Sequence, residues 1–101
     1  MSHTRWDITD VDRAQEGYQE ARRAHLFGKA LRDRRTALGI TRTQLAARAD
    51  MSQAAISCLE HGGSTPTIPI LERLAMALGS TLHLDIAPNS DLSVSFTSQA
   101  A

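Results

Sequence analysis

Cysteine is nearly absent: Cys58 is the only one in 101 residues. An intramolecular disulfide is therefore impossible, and a secreted, disulfide-stapled scaffold is excluded. Long apolar runs are missing too, since none approaches the ~18–20 residues that a membrane span requires. Met1 to Asp12 is polar and acidic instead of basic and then apolar, so no export signal is read there. These absences predict a protein of the reducing cytoplasm with no membrane partner. No nucleophile–base set, glycine-rich phosphate loop or carboxylate pair is visible, so neither an enzyme nor a cofactor is expected. Net charge is also lacking, because eleven Lys/Arg balance eleven Asp/Glu.

That balance hides an uneven distribution. Residues 1–25 carry four Arg against five acidic residues, residues 26–79 carry seven Lys/Arg against four, and residues 80–101 carry only Asp85 and Asp91. The middle is thus basic and the ends acidic, a placement compatible with phosphate binding by the middle alone. A chain of this length suits one small domain with short appendages.

Hydrophobic spacing divides the chain accordingly. Val11, Ala14, Tyr18 and Ala21 form a narrow helical stripe from Thr9 to about His25, with Thr9 or Asp10 as cap. Gly17 lies inside it at a cost of about 1 kcal/mol relative to alanine, so a marginal helix is expected. From Leu26 the pattern strengthens: Leu26, Phe27, Ala30, Leu31 and Leu38 lie near one face, and Gly39 is a C-terminal cap. Thr41-Arg42-Thr43-Gln44 is a capping box opening a second helix, with Leu45, Ala46 and Ala49 inward. After Asp50-Met51, Ser52 caps a third helix through Ala55, Ile56, Leu59 and Glu60, which Gly62-Gly63 ends. Thr67 caps a fourth, with Pro69 in its first turn and Ile70, Leu71, Leu74, Ala75 and Leu78 on its apolar side.

Beyond Gly79 the period drops to two. Leu82, Leu84 and Ile86 alternate with polar residues, Pro88 to Asp91 reads as a turn, and Leu92 to Thr97 alternates again. Either a second strand or a loose serine-rich tail fits residues 89–101. The expected fold is mainly α, a four- to five-helix bundle with a short C-terminal β-strand or hairpin. Its segments are an N-terminal arm (1–25), a helical domain (26–79) and a C-terminal strand region (80–101).

Two short helices joined by about three residues can present the second of the pair to a DNA major groove. The residues go further. Ile40 to Ala46, Met51 to Ser57, Leu59-Glu60-His61-Gly62, Pro66, and Leu71 to Gly79 together resemble the Xre/Cro-repressor helix-turn-helix family. The resemblance implies base contacts from Gln53, Ala54, Ser57 and Cys58, with Ala55 in the same turn. It implies phosphate contacts from Thr41, Arg42, Thr43 and Ser52. The Gln53 amide matches adenine N6 and N7, and the Ala54 methyl a thymine methyl. The family often places a longer polar or basic residue at the position of Cys58, and Gln at that of Arg42. Arg35 and Glu60 correspond to an ion pair that fixes the first helix against the third. Cys58 and His61 are three apart, but no other ligand spacing accompanies them, and no metal site is expected.

An acidic, tyrosine-bearing arm together with the strand Ala-Leu-Gly-Ser-Thr-Leu-His-Leu-Asp-Ile resembles HigA-type antitoxins of toxin–antitoxin pairs. This narrower resemblance implies an autoregulating repressor that also neutralises a small ribonuclease toxin. Trp6, Ile8, Val11 and Tyr18 would anchor that partner, and Leu82, Leu84 and Ile86 would support a homodimer on double-stranded operator DNA. The alternatives are a free-standing Xre-type regulator and an interaction adaptor without DNA binding.

Overall fold

The computed structural model describes the backbone of residues 2–99 and the side chains of residues 13–99. Four helices are followed by a hairpin: α1 (Ser2–Ala37), α2 (Arg42–Ala49), α3 (Gln53–Glu60), α4 (Ile68–Ala77), β1 (Ser80–Asp85) and β2 (Ser93–Ser98). The expected fold class is therefore observed, with four helices because the arm and the first domain helix are one. α1 runs without a break across the boundary expected near residue 25. Gly17 does not interrupt it, and a Cβ built there meets nothing within 4 Å. The C-terminal half of α1 is anchored by Ala24, Phe27 and Leu31, all buried. A helix so anchored at one end can extend through a weak former, since each added residue gains a hydrogen bond without a new nucleation cost.

The turns follow local chemistry. Thr41 Oγ1 accepts from Gln44 N at 3.0 Å while Thr41 N donates to Gln44 Oε1 at 2.8 Å, completing the capping box. Ser52 Oγ accepts from Ala55 N at 3.0 Å. Asp50 sits in the left-handed region and its carbonyl accepts from Arg73, which also donates to Ala49 O at 3.0 Å. The orphan carbonyls ending α2 are thus satisfied from α4. Thr67 occupies the N-cap position of α4, yet its hydroxyl makes no capping bond. Pro69 has no N–H to offer it, although Ile70, three residues on from Thr67 as Gln44 is from Thr41, keeps its own.

Leu31, Leu45, Ile56 and Leu74, one from each helix, are the largest fully buried side chains and fix the core. Leu38, expected on the inner face, is exposed instead, because it follows the last turn of α1 and points past the bundle. The tail is ordered as a strand. β2 pairs antiparallel with β1 in the register Leu82 to Phe96 and Leu84 to Val94. Val94 and Phe96 pack on the core, and the Phe96 ring meets Phe27 edge-on with centroids 6.4 Å apart. Arg34 donates to Ser80 Oγ at 2.9 Å and to Ser98 Oγ at 3.3 Å, and Arg22 pairs with Asp91 at 3.1 Å. Both ends of the hairpin are thereby tied to α1.

Candidate nucleic-acid interface

The Ser52 cap turns α3 so that Ile56, Leu59 and Glu60 face inward. Gln53, Ala54 and Cys58 then lie on the exposed side, with Ser57 and Ala55 half-buried beside them. The residues expected at base edges therefore share one outer face of a short helix, apart from Ala55, which turns towards its flank. Thr41 and Thr43 stand exposed at the start of α2, and Ser52 at the start of α3. Their side-chain oxygens are partly committed, since the Thr41 and Ser52 hydroxyls already accept backbone N–H groups.

The angle between α1 and α3 is held by charge. Arg35 grips Glu60 with two parallel hydrogen bonds, Nε to Oε2 at 2.6 Å and a terminal nitrogen to Oε1 at 3.0 Å. Its other terminal nitrogen donates to Ile40 O at 3.0 Å, which ties the α1–α2 turn into the same group. Glu60 has a side chain only 1% exposed. It also accepts a third bond, from Arg42 Nε at 3.0 Å. Sequence reasoning placed Arg42 at a phosphate and missed this second role. The separation of 18 residues leaves no local signal for it. With 40% of its side chain exposed, Arg42 keeps an outward edge at the start of α2 while Glu60 fixes its orientation.

Burial pushes the Glu60 carboxyl up. The hydrogen bonds from Arg35 and Arg42, followed by their charges, outweigh burial and leave it below its ordinary value of 4.5. The Arg35 guanidinium is correspondingly raised, chiefly by its hydrogen bond to Glu60. Three residues from three different helices thus form one unit with an excess positive charge.

Cys58 is a free, exposed thiol. Its neighbour on the helix, His61, is turned back to Ser57, with Nδ1 2.7 Å from Ser57 O. Among the described residues, no group of three or more potential ligands is poised to hold a metal ion. No helix among them is long and apolar enough to cross a membrane. Tyr18 is 68% exposed on the outer length of α1, whereas the side chains of Trp6, Ile8 and Val11 lie outside the described residues. Leu82 is half-buried, Leu84 is partly exposed, and Ile86 is 79% exposed just past the end of β1.

A capped helix pair with its second member offering an outer polar face over an Arg–Glu joint is the arrangement of a groove-reading module. The family model described as helix-turn-helix matches residues 31–84, from the last seven residues of α1 through most of β1. The chain belongs to the helix-turn-helix family of DNA-binding regulators. Solved structures that resemble it include two regulators. The restriction-modification controller protein C.AhdI from Aeromonas hydrophila is 29% identical, with a TM-score of 0.53 over 55% of this chain and 83% of that one. The clp gene regulator ClgR from C. glutamicum is 34% identical, with a TM-score of 0.53 over 58% of this chain and 74% of that one. No curated protein matches the chain. Most of α1 and all of β2 lie outside the matched range.

Proposed function

We propose that the protein is a sequence-specific transcriptional repressor that places α3 in the major groove of its own operator. The exposed row of Gln53, Ala54, Ser57 and Cys58 carries this reading. It combines an amide able to make a bidentate adenine contact with small neighbours that permit close approach. Thr41, Arg42, Thr43 and Ser52, at the starts of two helices, are suited to the flanking phosphates, where the helix N-termini add positive potential. A homodimer supplies the two-fold symmetry with which such modules read paired half-sites. Ile68, Leu71, Ala75, Leu82 and Leu84 offer it an open apolar groove between α4 and β1, with Ile86 exposed just beyond the strand.

Replacing Gln53 by alanine is expected to lower the ratio of affinity for the DNA upstream of the gene to that for random duplex by about 5- to 150-fold, since a bidentate base contact is worth about 1–3 kcal/mol. Fluorescence-anisotropy titration measures both affinities, and the saturation point should be two chains per operator. An unchanged ratio would show that α3 does not read bases through Gln53. Saturation at one chain would remove the homodimer.

A second reading, that the repressor is also the antitoxin of a small ribonuclease, is favoured by one observation. Residues 13–21 project as exposed helix with no packing partner among the described residues, and Tyr18 stands among Glu16 and Glu20. Tyrosine anchors dominate interface energy, and acidic neighbours suit a basic RNA-binding surface. Truncation should stop at residue 20, because Arg22 holds Asp91 and Ala24 is buried. Removing residues 1–20 is expected to abolish protection against the protein encoded by the adjacent gene, in a growth assay, while operator affinity stays within about twofold. Full protection by the truncated chain would exclude the arm as the toxin contact.

A further inference from the structure

The exposed positions of α3 do not stop at Cys58. The same outer row continues to His61, which closes the helix and stands in the open. Across from it, on α1, His25, Lys29 and Arg32 recur at intervals of four and three residues, which is one face of a helix. An open groove of about 540 Å³ separates the two, lined by His61 and the paired Glu60 on one wall and by His25, Lys29, Arg32, Asp33 and Thr36 on the other. The hairpin is held through Phe27 and Arg34, and among the described residues His25, Lys29 and Arg32 stay exposed.

We infer that the DNA interface extends from the end of α3 onto α1, where Lys29 and Arg32, flanked by His25 and His61, follow the sugar–phosphate backbone beside the groove that α3 enters. The inference rests on the DNA-binding reading above and adds a second contact surface to it. From His25 to Arg32 the helix rises about 10 Å, the axial length of about three phosphates on one strand. No ion pair engages Arg32 among the described residues. Lys29 holds only Asp33, at 2.7 Å between side chains that are both about two-thirds exposed. Such a pair contributes about 0–1 kcal/mol and is readily exchanged for a phosphate. Gly62 packs against the start of this face, where an added Cβ would sit 3.2 Å from His25 Cα.

The test uses the full chain and a 30-base-pair duplex of mixed sequence, with affinity measured from 50 to 200 mM NaCl. Each phosphate contact contributes about 0.9 to the slope of log affinity against log salt. The double variant Lys29→Gln/Arg32→Gln should therefore lose about 1.8 from the slope. Its affinity should fall about tenfold less than the parent's across that salt range. Asp33→Asn, which releases Lys29, should bind the same duplex more tightly than the parent. The ratio of specific to random affinity should be unaffected in the double variant, unlike in Gln53→Ala. A parental slope in a double variant that melts at the parental temperature overturns the α1 track while leaving the α3 reading intact. A parent chain that binds no duplex at all overturns both.

Discussion

Glu60→Ala is expected to cost about 3–5 kcal/mol of folding stability, the usual cost of removing one partner from a buried ion pair. The loss is large because the carboxylate serves two cations. Without it Arg35 is left buried at the joint of α1 and α3, and Arg42 loses the group that orients it. In a domain of this size that corresponds to a fall of roughly 15–30 °C in melting temperature, readable by circular dichroism. A fall under 5 °C would mean that the joint is held by packing alone. Glu60→Gln, which keeps the shape and one acceptor, should lose less. The pH dependence has a definite sign. The folded state holds the Glu60 carboxyl below its ordinary value of 4.5, so its contribution is fully present above that value and is lost as pH falls through the lower, folded value. The parent should accordingly lose stability below about pH 5 more steeply than Glu60→Gln. Parallel acid profiles would contradict the assignment.

Gly28→Ala should destabilise the protein by about 1–3 kcal/mol or more, although the same change at Gly17 should stabilise it by about 0.5–1 kcal/mol. Both glycines lie inside α1, where alanine is the better helix former. At Gly17 the new methyl group meets open space. At Gly28 it would stand 2.8 Å from Glu60 O and 3.0 Å from Glu60 C, with Leu59 O closer still. These are backbone atoms at the end of α3, with no side chain to rotate aside. α1 must lift away, stretching the Arg35–Glu60 bonds and opening the packing of Phe27 and Leu31. Urea unfolding of the two single variants reads the contrast directly, and equal signs would mean that the close approach at Gly28 carries no energy.

What was legible in the sequence is what the chain decides locally. The Thr41–Gln44 capping box, the Ser52 cap and the positive φ of Gly39 and Gly79 involve residues at most three or four apart, and they stand where the spacing put them. The Arg35–Glu60 pair was legible only through the family resemblance, since 25 residues intervene. Arg42 shows the limit. Nothing near it in sequence announces that its Nε turns to Glu60. Thr67 takes the N-cap position without a capping bond although the Ile70 N–H stands at the spacing that Thr41 and Ser52 use, so Pro69 alone does not account for it. The unity of α1 was hidden because the stripe before Leu26 is thin and contains Gly17, whereas the helix is secured from its other end by Ala24, Phe27 and Leu31. The pairing of β1 with β2 within one chain was one of two open choices. The edge contact of Phe96 on Phe27 and the bonds from Arg34 to Ser80 and Ser98 account for it.

The unbroken course of α1 turns the molecule into a lever. From Tyr18 to Gly28 the helix rises ten residues, about 15 Å along the axis. The fulcrum is the cluster where Gly28, Arg35 and Glu60 clasp the end of α3. A rocking of about 10° there sweeps the outer shaft through about 3 Å, given that length. Because Arg22, Phe27 and Arg34 also tie α1 to the hairpin, a load near Tyr18 is shared between the hairpin and the joint with α3.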